Sequence, residues 1–384
     1  MAGPLDGLIV ADFSRVLAGP YASMLLGDLG ADVIKVERPG TGDDTRAWGP
    51  PWHGGTSTYY LGLNRNKRSV VLDLADPSGR ELARRLGQRA DVLIESFRPG
   101  LMTSWSLDGD TLRAAGNPRL VSCSVTAFGS APEAAGLAGY DFLLQAMGGL
   151  MSVTGEADGR PLKVGAALID LVCGLLAVTG IQAALAERER TGHGRHVEVS
   201  LMDSALAALL NQGSAWVSGG AVPSRRGNRH PSIVPYETYE AHDRPFAVAV
   251  GNDRLFARLC EAIGLPELPA DERFATNAAR VANVDALGER LEAVFRTRPA
   301  ADWLAALRTV GVPAGPINRV DEAFALAAEL GLEPTDDRHG VPLVTPPLRL
   351  DGERPPVRRP PPRLDEHGDE IRRWLSSEPP SAAG

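Results

Sequence analysis

Short runs rich in β-branched residues alternate with helical stretches through roughly the first 200 residues, and this alternation constrains the fold more than any other feature. Strand-like apolar runs occupy residues 7–13, 31–37, 69–74, 91–97, 120–125 and 196–200. Residues 18–29, 77–90 and, after the last run, 201–216 have the periodicity of helices. Strands that alternate with helices form βαβ units. We therefore expect an α/β fold with a parallel sheet and helices on both of its faces.

The pattern changes at residues 218–231, a glycine- and arginine-rich stretch that is predicted to be a loop. Beyond it, strands are predicted at 236–239 and 246–250, and helices at 252–263, 284–296 and 300–310. These elements predict a large domain at 1–217 and a smaller α+β domain at 225–325. Residues 326–384, rich in proline and arginine, are expected to run extended, to end in a helix at 369–375, and to return to the large domain.

The charge and cysteine content narrow the class of protein. The 384 residues include 40 Lys and Arg against 48 Asp and Glu, a net charge of −8, whereas nucleic-acid binders present a basic surface. Cys123, Cys173 and Cys260 form neither a CxxC pair nor zinc-ligand spacing, so reduced thiols are expected. The first residues lack the positive and apolar regions of a signal peptide. We expect a cytoplasmic protein that has no nucleic-acid partner.

One apolar segment, residues 164–186, is long enough to cross a bilayer. Its 23 residues include a single charge, Asp170, together with Thr179, Gln182 and three glycines. No other segment of the chain resembles a second span. These features favour a buried helix of a soluble protein over a membrane helix, so no membrane association is expected.

Asp170 is the residue that indicates chemistry most directly. Burying an ionised carboxylate without a partner is very unfavourable, so buried acids tend to be paired, protonated or functional. A partly desolvated carboxylate is also a stronger nucleophile, and aspartate can form covalent acyl intermediates. A helix N-cap is the structural alternative, because aspartate favours that position. The residues alone leave these two interpretations evenly matched.

Basic residues cluster in the predicted large domain, at Arg38, Arg46, Lys67, Arg68 and Arg98. Arg38 and Arg98 follow the carboxyl ends of predicted strands, where open α/β sheets bind ligands. Arginine also suits bidentate contacts with phosphate. Scattered surface charge is the alternative, and it is favoured for any one of these residues taken singly.

Several common motifs are missing from the sequence. The first strand–helix turn, residues 12–30, contains no GxGxxG, which argues against a nicotinamide or flavin enzyme. There is no HExxH or other metal-binding array, no GxSxG elbow and no P-loop. No metal is therefore expected.

Seven segments, in order along nearly the whole chain, resemble class III CoA transferases of the CaiB/BaiF type, which include formyl-CoA transferase and crotonobetainyl-CoA transferase. The segments are residues 12–46, 66–74, 91–100, 163–177, 191–206, 311–318 and 361–371. The resemblance implies an interlocked homodimer in which each chain has a large Rossmann-like, CoA-binding domain and a small domain. It also implies transfer of coenzyme A from an acyl-CoA donor to a carboxylic acid, through aspartyl anhydride and thioester intermediates, with Asp170 as the catalytic residue.

The same resemblance places the other site residues. Tyr140 matches an active-site tyrosine of the formyl-CoA transferase type and is expected to contact substrate. Three departures from the family concern Ser96, where asparagine is common, Ala75, which replaces a lysine of some members, and residues 225–231, only a partial match to the glycine loop. The expected coenzyme A contacts are Leu17, Ala18, Arg38, Leu72, Asp73, Leu74, Ala75, Ser96, Phe97 and Arg98.

An α-methylacyl-CoA racemase or epimerase is the second interpretation, because these enzymes share the fold. They use an aspartate with a histidine that lies in a GHD triplet 30 residues earlier. Here that triplet is Gly139-Tyr140-Asp141. Tyrosine has an ordinary pKa of about 10 and is a poor base near neutral pH. The tyrosine favours the transferase. A non-catalytic CoA-binding protein is the third interpretation.

Overall fold

Six parallel strands form the central sheet of the computed structural model, which describes residues 3–134 and 136–377. In chain order these strands are β1 (Ile9–Phe13), β2 (Asp32–Glu37), β5 (Lys67–Val71), β6 (Val92–Glu95), β7 (Val121–Thr126) and β8 (His196–Ser200). Their spatial order is β5-β2-β1-β6-β7-β8, and each neighbouring pair is parallel. The predicted α/β fold with a parallel sheet is confirmed.

The other strands belong to small antiparallel sheets: β3 (Trp52–His53), β4 (Thr56–Ser57), β9 (Tyr236–Glu240), β10 (Pro245–Ala249), β11 (Ala314–Pro316), β12 (Thr335–Asp336) and β13 (Leu343–Val344). The helices of the first half are α1 (Ala18–Asp28), α2 (Thr58–Leu61), α3 (Pro77–Arg89), α4 (Leu101–Ser104), α5 (Gly109–Ala114), α6 (Asp141–Met147) and α7 (Leu168–Thr191). Those that follow are α8 (Leu201–Leu209), α9 (Asn211–Val217), α10 (Asp253–Ile263), α11 (Asn277–Ala282), α12 (Val284–Phe295), α13 (Ala300–Thr309), α14 (Val320–Glu329) and α15 (Gly368–Ser376).

Most predicted elements are present with shifted ends, and one differs in kind. The helix predicted at 201–216 is two helices, because the backbone turns at Leu210, where φ is 40°. The strand predicted at 69–74 begins at Lys67, a charged residue that is completely buried. Helix α14 was not predicted, and its described residues include none that are buried.

The C-terminal tail packs against the β5 edge of the central sheet. The Val71 N–H donates to Asp365 Oδ1 (2.7 Å), and the His367 N–H donates to the Ser69 carbonyl (3.0 Å). Ile371 and Leu375 of α15 lie in the same hydrophobic cluster as residues of β1, β2 and α3. The tail therefore covers a strand edge that would otherwise present unpaired backbone groups.

The chain divides into two compact units. The first contains the described residues of Met1–Leu150, Val164–Gly220 and Glu333–Gly384. The second contains Met151–Lys163 and Ala221–Leu332, and its sheet has the order β11-β10-β9. Its core includes Phe295 and Trp303, whose rings meet edge to face with centroids 5.5 Å apart. Residues 151–163 thus group with the second unit, although the sequence placed them in the large domain.

Helix α7 coincides with the long apolar segment. Within the two described ranges it is the one helix long and apolar enough to span a membrane, and 44% of its apolar window is buried against the protein. Core helices of soluble proteins pass the same test. Its buried side packs on α1 and α8, whereas Leu175 and Leu176 are 49% and 39% exposed.

Candidate active site

Asp170 lies in the first turn of α7 and is 8% exposed. Ala167 is the residue that flanks this helix end, so the alternative that Asp170 is itself the N-cap is wrong. Burial, and after it the negative charge of Asp141, raises the pKa of Asp170 to about 7. Within residues 3–134 and 136–377 no ion pair neutralises this carboxylate, which is poised between its charged and neutral forms near neutral pH.

A glycine lets α7 approach the first turn of α1 closely. A Cβ atom built at Gly174 would lie 2.8 Å from the Ala18 carbonyl oxygen, closer than real Cβ contacts allow. Gly174 is one turn beyond Asp170, so this close approach places Asp170 beside the loop that joins β1 to α1. That loop ends at Leu17, which supplies no side-chain cap to α1.

A cavity of about 380 Å³ opens in front of Asp170. It is formed by the β1–α1 loop, the carboxyl ends of β6 and β7, and the segment before α6. The sequence-predicted residues that line it are Leu17, Ala18, Ser96, Phe97, Arg98 and Tyr140. Parallel strands place ligand sites at their carboxyl ends, and this cavity has that location.

A second cavity, of about 230 Å³, lies beyond the carboxyl ends of β2 and β5. The remaining sequence-predicted residues line it, namely Arg38, Leu72, Asp73, Leu74 and Ala75. Phe97 lines both cavities. The structure thus divides the predicted coenzyme A residues between two neighbouring cavities, and it brings Asp170 together with only one of the two groups.

Arg15 also lines both cavities, and the sequence analysis missed it. The Arg15 guanidinium lies over the Phe97 ring, 5.1 Å from the centroid, and the backbone N–H of Arg15 donates to Ser96 Oγ (2.9 Å). The Phe97 ring in turn meets Trp105 edge to face. Arg15 follows the carboxyl end of β1, so the criterion that selected Arg38 and Arg98 applies to it equally.

The basic residues that the sequence grouped together have different surroundings. Arg38 is exposed at the rim of the second cavity, where it pairs with Asp44 and donates to Thr41 Oγ1 (2.7 Å). Arg46 and Arg68 pair with acidic side chains, and Lys67 is completely buried. Of the five, only Arg38 and Arg98 line the two cavities.

Tyr59 is a further neighbour of Asp170 that the sequence did not indicate. Burial raises the pKa of Tyr59 to about 12, and the next causes are the negative charges of Asp170 and Asp141. Its ring meets Trp48 edge to face, with centroids 5.3 Å apart. No motif marks this tyrosine, because it approaches Asp170 from a segment more than a hundred residues away.

Cys173 is a weaker candidate for the chemical role than Asp170. Cys173 is buried, and burial raises the pKa of its thiol to about 12, so it is a poor thiolate at neutral pH. Among the residues that the structure describes, no three His, Cys, Asp or Glu side chains lie together in a way that could hold a metal ion.

Comparisons with known proteins agree on one family. The sequence profile of CoA-transferase family III matches residues 5–368. Succinate–glutarate CoA-transferase from Agrobacterium fabrum is 42% identical over 380 residues, which cover 96% of this chain and 94% of that protein. Acetyl-CoA:oxalate CoA-transferase from Acetobacter aceti is 43% identical over 377 residues, or 98% and 96% of the two chains. The crystal structure of a CaiB/BaiF family protein from Brucella suis has a TM-score of 0.87 at 45% identity, covering 98% of this chain and 100% of that one.

Proposed function

The chain belongs to CoA-transferase family III, and we propose that it moves coenzyme A from an acyl-CoA donor to a carboxylic acid through covalent intermediates on Asp170. One observation carries the proposal. Asp170 is a buried, unneutralised carboxylate at the wall of a cavity that the predicted coenzyme A residues also line. A carboxylate with a pKa of about 7 is more nucleophilic than an ordinary aspartate and is still largely ionised just above neutral pH.

The reaction exchanges acyl bonds in four steps. The Asp170 carboxylate attacks the donor thioester, which forms a mixed anhydride and releases the coenzyme A thiolate. The thiolate attacks the aspartyl carbonyl, which gives an aspartyl thioester and frees the donor acid. The acceptor carboxylate then attacks that thioester, forming a second anhydride and releasing the thiolate again. Attack of the thiolate on the acceptor carbonyl yields the new acyl-CoA and restores Asp170.

Backbone amides are available to stabilise the charge that develops in these steps. Ala18 and Gly19 line the Asp170 cavity and open α1, whose first amides have no side-chain cap. Free amides at a helix start are suited to an oxyanion, because they carry partial positive charge and are already oriented. We assign them this role in every tetrahedral intermediate.

Coenzyme A is proposed to extend across both cavities. We assign phosphate binding to Arg38, at the rim of the second cavity, and to Arg98, which lines the first. Phe97, which lines both, is the apolar surface along which the thiol-bearing arm would pass. Ser96, Leu17 and Ala18 would contact that arm nearest to Asp170.

Short dicarboxylic acids are the proposed acyl groups. The relative in Agrobacterium fabrum is named for succinate and glutarate, and one in Haloarcula marismortui for succinyl-CoA and mesaconate. The relative in Acetobacter aceti is named for acetyl-CoA and oxalate, so at least the acceptor in its name is a dicarboxylic acid. Tyr140 lines the cavity that contains Asp170, where an acid substrate must lie. Arg15 lines it too and offers a cation for a second carboxylate.

Two chains are proposed to form the interlocked homodimer that family membership implies, in the cytoplasm. The first unit exposes large apolar side chains on α7, α8 and α9 and at the turn between α8 and α9, namely Leu175, Leu176, Leu206, Leu210 and Trp216. A group of large exposed apolar side chains fits a protein interface. The cysteines of the described residues are free thiols, which suits a reducing compartment.

Covalent trapping tests the nucleophile. Incubation with succinyl-CoA alone, followed by rapid quenching, is expected to leave an activated carboxyl group on the protein. Hydroxylamine should convert it to a hydroxamate, and borohydride should reduce an aspartyl thioester to an alcohol. Mass spectrometry should place either change in the peptide that contains residues 167–171, because the thioester and anhydride form on Asp170.

The matched control is Asp170→Asn, which should carry no such mark. A mark on another residue, such as Cys173, would show that the nucleophile is misassigned even if transfer were observed. A racemase that only moves a proton would leave no adduct, and it would exchange the α-proton of the acyl group with deuterated water in the absence of any acceptor acid.

A further inference from the structure

Asp141 and Gln145, one turn apart on α6, hold the segment that delivers Asp170. Asp141 Oδ1 accepts the Ile169 N–H (2.8 Å) and the Asp170 N–H (3.3 Å). Gln145 Nε2 donates to Asp141 Oδ2 (2.6 Å), and Gln145 Oε1 accepts the Val164 N–H (2.8 Å). All these contacts lie within the first structural unit. The approach to α7 and its first turn are therefore tied to one pair of side chains.

This arrangement supplies a cap that the local sequence lacks. The first amides of a helix need acceptors, and Ala167, at the N-cap position, has no polar side chain. Asp141 provides the acceptor from another helix, and Gln145 fixes the orientation of Asp141. Gln145 is completely buried and Asp141 is 9% exposed, so neither side chain has much freedom to move.

The use of an aspartate for this task is informative, because its charge works against the neighbouring nucleophile. An asparagine could also accept both amide hydrogens. A carboxylate in a buried position next to Asp170 instead disfavours ionisation of Asp170. The charge of Asp141 is the second cause, after burial, of the raised pKa of Asp170.

We propose that Asp141 is a positioning residue for the nucleophile, which caps the helix that carries Asp170 and sets a second negative charge beside its carboxylate, while Gln145 holds Asp141 in place. The inference rests on the proposed role of Asp170. A more basic carboxylate is a better nucleophile towards the thioester, and the charge of Asp141 is expected to maintain that basicity in the ground state.

Other ionisable groups surround Asp170 but do not share this position. Asp203 lies on α8, a helix packed on α7, and its Oδ2 accepts a hydrogen bond from Ser200 Oγ (2.6 Å). The raised pKa of Asp170 is caused by burial and by the charge of Asp141, and by no other side chain of the described residues. The ionisable side chains that line the cavity or interact electrostatically with Asp170 are Arg15, Asp44, Arg98, Tyr140, Tyr59 and Cys173.

The test is the pH dependence of Asp141→Asn. Removal of the charge should lower the pKa of Asp170, so the acid limb of kcat should move from about pH 7 towards the ordinary carboxyl range. Gln145→Leu leaves the charge and removes the tether, so kcat should fall roughly ten- to a hundredfold with its acid limb unmoved. Asp108→Asn makes the same change at the N-cap of α5, and it should alter neither kcat nor the pH of its acid limb.

A readout that needs no turnover separates this inference from the proposed function. A water-soluble carbodiimide with an amine labels protonated carboxyl groups, and the labelling of the 167–171 peptide can be followed across pH. The labelling midpoint should fall in Asp141→Asn whether or not the protein transfers coenzyme A. An unchanged midpoint in a folded variant would overturn the inference.

Folding of the variant can be secured by a compensating change. In Asp141→Asn the new amide faces Gln145 Nε2, so two donors oppose each other. Adding Gln145→Glu reverses the donor and acceptor and restores the bond, while it moves the negative charge to the other side of that bond, onto the side chain that accepts the Val164 N–H. The labelling midpoint of this double variant should lie below that of the wild type, and a return to the wild-type midpoint would count against the role of the charge at position 141.

Discussion

Asp170→Asn is expected to reduce coenzyme A transfer at least about a thousandfold, because loss of a covalent nucleophile removes the reaction path rather than one of its supports. Asparagine has nearly the same shape and still fits the first turn of α7. The affinity for coenzyme A, measured by calorimetry, should therefore change little. Transfer within tenfold of the wild-type rate would refute the mechanism.

The same variant should be more stable than the wild type at neutral pH. The folded-state pKa of Asp170 is about 7 and its ordinary value is 3.8, so the folded protein binds the Asp170 proton more tightly than the unfolded chain. Stability from this group is present at acid pH and is lost as pH rises between those two values. At about 1.4 kcal/mol per pKa unit, the loss above neutral pH has an upper bound of about 4 kcal/mol.

Urea unfolding at about pH 8 and about pH 4 measures this effect, with a gain for Asp170→Asn expected only at the higher pH. Asp76→Asn at the N-cap of α3 is a suitable control, because hydrogen bonds from Ser78 lower the pKa of Asp76. This substitution should therefore reduce stability at the higher pH, where Asp170→Asn increases it. Equal stability of wild type and Asp170→Asn at the higher pH would mean that Asp170 is not strained when ionised.

Lys67→Met is expected to destabilise the protein by about 3–5 kcal/mol, the usual effect of removing one member of a buried ion pair. Lys67 and Asp12 are both completely buried. Lys67 Nζ lies 3.2 Å from Asp12 Oδ2 and donates to the Pro20 carbonyl (2.9 Å) and Asn64 Oδ1 (3.0 Å). Burial lowers the pKa of Lys67 to about 8 although Asp12 opposes the change.

Two further variants isolate the buried pair. Asp12→Asn combined with Lys67→Met removes both charges and should recover much of the lost stability, as replacements of whole buried pairs do. Arg84→Met breaks the ion pair with Glu81, which is about 40% exposed, and should change stability by less than about 1 kcal/mol. If Lys67→Met and Arg84→Met unfold at the same denaturant concentration, the buried pair is not structurally important.

The buried charges also support the site. Asp12 Oδ1 accepts the Ser14 N–H (3.0 Å), and Lys35 Nζ donates to the Ser14 carbonyl (3.1 Å). Ser14 is next to Arg15 in the loop that walls the Asp170 cavity. Loss of these bonds is therefore expected to loosen the cavity before the sheet itself unfolds.

Periodicity in the sequence was sufficient for the architecture but not for the direction of charged side chains. Alternating strands and helices predicted the parallel sheet, and a single charge in an apolar run singled out Asp170. Lys67 was grouped with surface arginines, because composition does not reveal that its side chain points into the protein. Arg15 lines the same cavity as Asp170, and the charge of Asp170 acts on Tyr59. Both relations depend on contacts between distant segments of the chain, which no local sequence pattern predicts.

Closure of the sheet edge by the tail has a consequence during synthesis. Ser69 and His367 are 298 positions apart, yet they bond to each other. At roughly 5–20 residues per second, a ribosome needs tens of seconds to make the intervening chain. Through that interval the nascent sheet carries an unpaired edge at β5, beside β2, and both strands end at the second cavity. We expect this edge to be the surface that chaperones shield, so premature termination before residue 360 should produce aggregation rather than a truncated enzyme.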